Sequence, residues 1–263
     1  MSGAEGRLAD MVALVTGASR GIGLAIAAAF AREGATVCLA ARDAAALDAA
    51  VVDLAGVRGR AEARVLDVSD GRACADAVAA LERAHGRIDI LVNSAGVYRS
   101  GRFLDYPIGE FDRLMRTNLY GPIHLMQAVL PGMQARGFGR IVNIASTAGK
   151  WASPNQSGYN ASKHALVGLT RCVALETAKT GVTVNAICPG VVETEMIQAL
   201  WQGQGDAMGL TAEAARAAVM TRVPQGRTLD PAEVAELALY MASREAGGMT
   251  GQSVLLDGGI LYV

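Results

Sequence analysis

The sequence predicts an α/β fold, a doubly wound sheet of seven mainly parallel strands flanked by helices, with residues 1–263 forming one domain. Two patterns carry this prediction. Short apolar runs alternate with longer segments of helical period, and strand, helix, strand repetition implies a parallel sheet. The strand runs are nearly continuous Val, Ile, Leu and Ala, as expected when helices cover both faces of the sheet.

Taken in order, a strand over Val12 to Val15 leads into a helix over Gly21 to Glu33, and a strand over Thr36 to Ala40 into a helix over Asp43 to Gly56. The strand Ala63 to Leu66 precedes the helix Asp70 to His85, and the strand Ile88 to Val92 precedes one long helix, Ile108 to Arg136. Strand Arg140 to Ala145, helix Gly158 to Thr180 and strand Thr183 to Cys188 continue the alternation, and helix Pro231 to Ala242 and strand Ser253 to Leu256 close it. The stretch from Val191 to Arg227 breaks the rhythm: Gly203, Gly205 and Gly209 surround Trp201, and a short helical pattern covers Thr211 to Met220. This stretch, about residues 191–227, reads as a mobile substrate lid.

Hydrophobic residues make up 51% of the chain, ample for a sizeable core. The 24 Lys and Arg residues nearly balance 25 Asp and Glu, which offers no electrostatic footprint for nucleic acid or an anionic membrane, so a small-molecule partner is expected. Cys38, Cys74, Cys172 and Cys188 have no C-x-x-C spacing and lie in apolar stretches, so they read as buried free thiols of a reducing compartment. The N-terminus through Asp10 lacks the basic start and apolar core of a signal peptide, and no apolar run reaches the roughly 18 residues of a membrane span, so a cytoplasmic location is expected. His85, His124 and His164 are isolated, and no metal site is expected.

Two constellations carry chemistry. The run Thr16-Gly17-Ala18-Ser19-Arg20-Gly21-Ile22-Gly23 follows the first strand and opens the first helix, placing glycines where backbone must approach a pyrophosphate near a helix N-terminus. Tyr159 and Lys163 lie four apart on one helix face, so the lysine ammonium is expected beneath the phenol, depressing its pKa and making it a proton shuttle. Ser146, at the end of the fifth strand, supplies a second donor for an oxygen that develops negative charge.

The G-x-x-x-G-x-G spacing of the loop resembles the short-chain dehydrogenase/reductase family, whose fold is a Rossmann-like α/β sheet. The resemblance spans the chain: Asp67-Val68 after the third strand, Asn93-Ser94-Ala95-Gly96 after the fourth, Asn118, Ser146, Tyr159, Lys163, and Pro189-Gly190 followed by Val192 and Thr194. Ser94 departs from the pattern, where a second Asn is commoner. The resemblance implies a catalytic tetrad of Asn118, Ser146, Tyr159 and Lys163, with Asn118 holding a proton-relaying water and Lys163 also binding nicotinamide ribose. It further implies that Asp67 bonds the adenine amino group, Asn93 supports the ribose region, and Val192 and Thr194 hold the carboxamide. A dinucleotide sensor on the same fold is the other class considered; loss of the tetrad would mark it, and all four residues are present.

An acidic residue ending the second strand holds the ribose hydroxyls of NAD, whereas arginine accommodates a 2′-phosphate. Ala41-Arg42 stands there, so Arg42 with Arg20 favours NADP(H), with NAD(H) possible because Asp43 follows and could cap the next helix or contact ribose. Residues 97–103, 147–156 and 191–220 are expected to wall the substrate, with Lys150-Trp151 as a cationic aromatic wall and Arg99 and Arg102 as surface charge or as contacts for the phosphates of an acyl carrier or coenzyme A. The stretches around Ser146, Lys163 and Pro189 look like 3-oxoacyl and polyketide ketoreductases. They are also similar to 3-hydroxybutyrate dehydrogenases, which keeps NAD-dependent oxidation of a secondary hydroxyl (3-hydroxybutyrate, a hydroxyacyl-CoA or a cyclic alcohol) as the alternative. Apolar helices Phe111 to Met133 and Ala161 to Ala178, together with the family habit, point to a homotetramer.

Overall fold

The computed structural model describes residues 6–262; the first five residues, part of the stretch read above for a leader, and Val263 lie outside the described residues. One sheet organises them. Strands β1 (Val12–Thr16), β2 (Thr36–Ala41), β3 (Arg60–Val65), β4 (Ile90–Asn93), β5 (Gly139–Ile144), β6 (Val182–Pro189) and β7 (Ser253–Leu256) lie in the order β3-β2-β1-β4-β5-β6-β7. Every pairing is parallel. The chain reverses its direction of winding between β1 and β4, and in an open parallel sheet that switch point opens a crevice at the carboxyl strand ends.

Helices α1 (Gly21–Arg32) and α9 (Pro231–Ala242) pack together on one face, burying Ile26, Phe30, Val234, Ala235 and Leu239 against β1, β2, β4 and β5. On the other face, α3 (Gly71–His85) and α5 (Gly121–Arg136) bury Val78, Leu81, Leu125 and Val129 beneath Leu14, Leu91 and Ile141. Because consecutive strand side chains point to opposite faces, Leu14 and Val15 enter different cores, which accounts for the unbroken apolar runs.

Four expectations need correction. The third strand starts earlier than expected, at Arg60, because it is an edge strand with no fully buried residue, and Arg60, Glu62 and Arg64 interrupt the apolar signal. The long helix after β4 is interrupted: α4 (Ile108–Met115) and α5 flank a π-helical turn over Arg116–Tyr120. Pro122 has no N–H to return to the 118 carbonyl, so the regular ladder cannot pass this point. The region after β6 holds α7 (Glu195–Met208) as well as α8 (Ala212–Met220), with Gly203 and Gly205 inside α7. These glycines serve close packing: a Cβ at Gly205 would meet the Leu210 carbonyl oxygen at 2.8 Å, and Gly209 ends the helix at φ 69°. Cys172 is exposed, whereas Cys38, Cys74 and Cys188 are buried free thiols as expected.

Candidate active site

A cleft of about 1200 Å³ lies along the carboxyl ends of the strands. The glycine loop forms one wall. Gly17 has φ +65°, and a Cβ there would stand 2.8 Å from backbone atoms of Ala95, so only glycine lets the turn after β1 touch the turn after β4. Thr16 locks the same junction, its hydroxyl accepting from Ser94 N at 3.1 Å and Ala95 N at 3.2 Å. Gly21 has φ +56° and lies under Thr194, whose Cγ2 would be 3.3 Å from an added Cβ.

A dinucleotide fits this wall. Helices α2 (Ala44–Asp53), α3 and α9 are capped by the side chains of Asp43, Asp70 and Asp230, but α1 has neither a side-chain cap nor a carboxylate in its first turn. Its bare amides open beside the glycine turn, which suits a pyrophosphate. Ser19, Arg20, Ile22, Gly23, Arg42, Asp67, Val68, Ala95, Gly96, Pro189, Gly190 and Val192 all line the cleft. Arg20 is tied to Glu195 at 2.6 Å, so Arg42 is the freer cation at this end. Asp67 Oδ1 accepts from the Ser69 hydroxyl and backbone N–H; these bonds hold its carboxyl below the ordinary range, with the Arg42 charge adding to them.

Asn93 departs from its expected place. It is buried in β4, donates to Asn143 Oδ1 at 2.8 Å and does not line the cleft. Its register opposite Asn143 on the neighbouring strand explains this: the pair, continued to Thr170, forms a buried polar link under the site.

Ser146, Tyr159 and Lys163 converge midway along the cleft. Ser146 ends the β5 strand and caps the short turn Thr147–Gly149, accepting from Ala148 N at 3.1 Å. Tyr159 and Lys163 come from α6 (Ser157–Thr177), where a spacing of four stacks them. The expected depression of the tyrosine pKa is not found. Lys163 Nζ donates to the Ile144 carbonyl at 2.8 Å and lies 5.7 Å from the Tyr159 ring centre. Burial pushes the Tyr159 phenol up to about 12, and the neighbouring Ser146 hydroxyl only partly offsets that. Burial also brings Lys163 down to about 8.

Asn118 sits behind this group, 1% exposed, in the π-helical turn. Both amide hydrogens are committed, to the Val97 carbonyl and the Ser162 hydroxyl at 3.0 Å each, and Oδ1 accepts from Val97 N at 2.9 Å. Its side chain therefore joins the loop after β4 to α6.

The far end of the cleft is walled by Tyr98, Trp151, Pro154, Met196, Ile197, Leu200, Ala215, Val219 and Arg222. Tyr98 packs edge-on against Tyr159 at 5.1 Å and accepts from Gln204 Nε2 of α7 at 3.3 Å. Gln204 and Arg222 went unassigned in the sequence, where a lone amide or arginine in an irregular stretch carries no signal. Lys150, Arg99 and Arg102 do not line this cleft; Arg99 faces Glu110 at 3.7 Å and Arg102 faces Asp105 at 3.9 Å, which favours their surface-charge reading. Among the described residues, no group of His, Cys, Asp and Glu has the arrangement of a metal site.

A family model described as enoyl-(acyl carrier protein) reductase matches residues 17–261. D-beta-hydroxybutyrate dehydrogenase of Rhizobium meliloti is 40% identical over 252 residues, covering 94% of this chain and 97% of the relative. The 3-oxoacyl-(acyl-carrier-protein) reductase FabG of Thermotoga maritima is 36% identical over 255 residues, 97% of this chain and 99% of the relative. The crystal structure of an actinorhodin polyketide ketoreductase variant with NADPH superposes with TM-score 0.90 at 40% identity, covering 95% of this chain and 97% of that one. With that breadth of match joined to the glycine loop and the Ser146, Tyr159 and Lys163 cluster, the chain belongs to the short-chain dehydrogenase/reductase family of oxidoreductases.

Proposed function

We propose that this chain reduces the ketone of a 3-oxoacyl or polyketide-type substrate with NADPH. The observation that carries the reaction class is the meeting of the Ser146 and Tyr159 hydroxyls on the cleft wall beside an apolar chamber. Two donors aimed at one place suit a carbonyl oxygen that becomes an alkoxide. The 3-oxoacyl and polyketide reductases among the relatives support the substrate class.

When bound, the dinucleotide supplies the hydride. Gly17, Ser19, Arg20, Gly21, Ile22 and Gly23 would hold its pyrophosphate, Arg42 the 2′-phosphate, Asp67 and Val68 the adenine, and Ala95, Gly96, Pro189, Gly190, Val192 and Thr194 the ribose and nicotinamide. The phenol of Tyr159, protonated at neutral pH with a pKa of about 12, donates its proton to the developing alkoxide while Ser146 donates the second hydrogen bond. Lys163 lies below Tyr159, its Nζ held by the Ile144 carbonyl. Asn118 is a positioning residue that fixes the Val97 loop against α6. Residues 1–263 act as one dinucleotide-binding and catalytic domain, with residues 191–227 as its lid.

The 40% identical hydroxybutyrate dehydrogenase supports a second reading, NAD-dependent oxidation of a secondary hydroxyl by the same residues run in reverse, with Tyr159 accepting the proton. Exposed Leu104, Ile108, Tyr120 and Leu175 on or beside α4 to α6 support a homotetramer, and the buried free thiols Cys38, Cys74 and Cys188 support a cytoplasmic location.

Paired NADPH and NADH fluorescence titrations of the wild type and Arg42→Ala separate the two. NADPH should bind about tenfold or more tightly than NADH, and Arg42→Ala should erase the difference, as expected for loss of a charge-assisted phosphate contact. An NADH preference indifferent to Arg42 would replace the reductase with the dehydrogenase.

A further inference from the structure

The acids of the cleft are unevenly placed. Asp43 and Asp67 lie at the adenosine end, and Glu195 is held by Arg20, which leaves the chamber beyond Tyr159 without a carboxylate in its wall. That chamber does hold cations. Arg113 is neutralised by Glu110, in contact at 2.8 Å. Arg222, at the end of the lid and just beyond α8, has no ion pair and no side-chain hydrogen bond among the described residues; its guanidinium lies 4.3 Å from the ring centre of Trp151. Trp151 comes from the loop just past Ser146, on the opposite wall. The ring face attracts the cation without using its N–H donors, which leaves the fork of this exposed arginine open.

Resting on the reductase reading, we infer that Arg222, stacked on Trp151, is a specificity-determining residue that binds an anionic group, carboxylate or phosphate, on the part of the substrate remote from the ketone. The chamber between Tyr159 and Arg222 is walled by Tyr98, Met196, Ile197, Leu200 and Val219, so the substrate presents an apolar body with its reacting carbonyl at one end and its negative charge at the other. A fork held on an aromatic face loses less freedom on binding an oxyanion than a free arginine does, and its two parallel N–H bonds suit both candidate anions.

The test uses the full chain loaded with its preferred dinucleotide, and calorimetric titration with matched ligands that differ only in charge. Pantetheine 4′-phosphate is compared with pantetheine, and hexanoate with hexanamide, on the wild type, R222Q and W151L. One charged ligand should bind about tenfold or more tightly than its neutral partner in the wild type, as charge-assisted bonds do, and R222Q should remove that preference while leaving the neutral ligand unchanged. W151L should weaken it in part. The pair that shows the preference names the source: the phosphate of an acyl carrier or coenzyme A, or the carboxylate of a free keto acid. A charge preference absent in the wild type, or kept intact in R222Q, overturns the assignment. Turnover of the neutral ketone ethyl acetoacetate, followed in parallel, tests the reductase separately: its absence with an Arg222-dependent charge preference would sink the reductase reading alone.

Discussion

At the end of the cleft that receives the dinucleotide, the wall is largely backbone. Gly17 touches Ala95, Thr16 is bonded to the turn after β4, and Thr194 roofs Gly21, so strand ends fix each position. At the other end the wall is side chains from α7, α8 and the loop after β5, held by Gln204 on Tyr98 and Arg222 on Trp151. The first design permits little variation, because backbone packed on backbone leaves no room for a side chain. The second leaves the substrate chamber open to change while Ser146, Tyr159 and Lys163 stay fixed between the two.

The largest effect is expected at the boundary itself. Tyr159→Phe removes the proton donor and keeps the ring against Tyr98, so kcat should fall by about 10²–10⁴ while dinucleotide affinity and thermal midpoint stay near wild type. Steady-state kinetics with a dinucleotide titration checks this. Comparable turnover by the phenylalanine variant would detach the chemistry from this cluster and revive a sensor role for the fold.

The asymmetry between the two ends also decided what could be read from sequence. Glycine spacing is a steric requirement written in residue identity, so Gly17, Gly21 and Gly23 announce their place, and a sheet covered on both faces follows from unbroken apolar runs. The site residues were legible where one backbone position imposes one role. The side-chain partners of Asn93 and Asn118 were not legible, because an amide's partners depend on a strand register and a π-helical turn that no local pattern encodes. Helix α7 was missed because Gly203 and Gly205 read as breakers, and their reason is a packing contact. The tyrosine pKa was expected in the wrong direction because spacing gives the distance to a charge but not the desolvation around the phenol.

A pair of glycine replacements measures the difference between backbone and side-chain walls. Gly17→Ala forces a Cβ against the Ala95 backbone at φ +65° and should cost about 2–3 kcal/mol, with loss of dinucleotide binding. Gly203→Ala places its Cβ against the Ser100 hydroxyl, which can turn away, and gains helix propensity in α7. Its net change should stay within about 1 kcal/mol. Chemical denaturation of both variants decides the matter, and equal costs would show that the lid is as rigidly specified as the glycine loop.

The smallest effect concerns the buried charge that the catalytic cluster carries. Burial lowers Lys163 to about 8 from the ordinary lysine value of 10.5, so between these values the unfolded chain binds more protons than the folded one, and Lys163 makes stability rise with pH. Cys38 and Cys74 act in the opposite sense: burial raises them to about 12 and about 11 from 9.0, so the folded chain holds protons that the unfolded one loses, and stability falls above pH 9. Between pH 8 and 9 the Lys163 contribution should rise by about 1 kcal/mol, below the limit of about 1.4 kcal/mol per pH unit for one proton. The thiols oppose it as the pH nears 9.0, and their effect cancels when the wild type is compared with a Lys163 variant. Urea denaturation of the ligand-free wild type and Lys163→Met across that window should give diverging stabilities. Arg42→Ala, at an exposed position away from Lys163, should track the wild type. If Lys163→Met tracked it too, the lysine would be solvated in the free protein and the catalytic cluster would carry no more buried charge than the cofactor end.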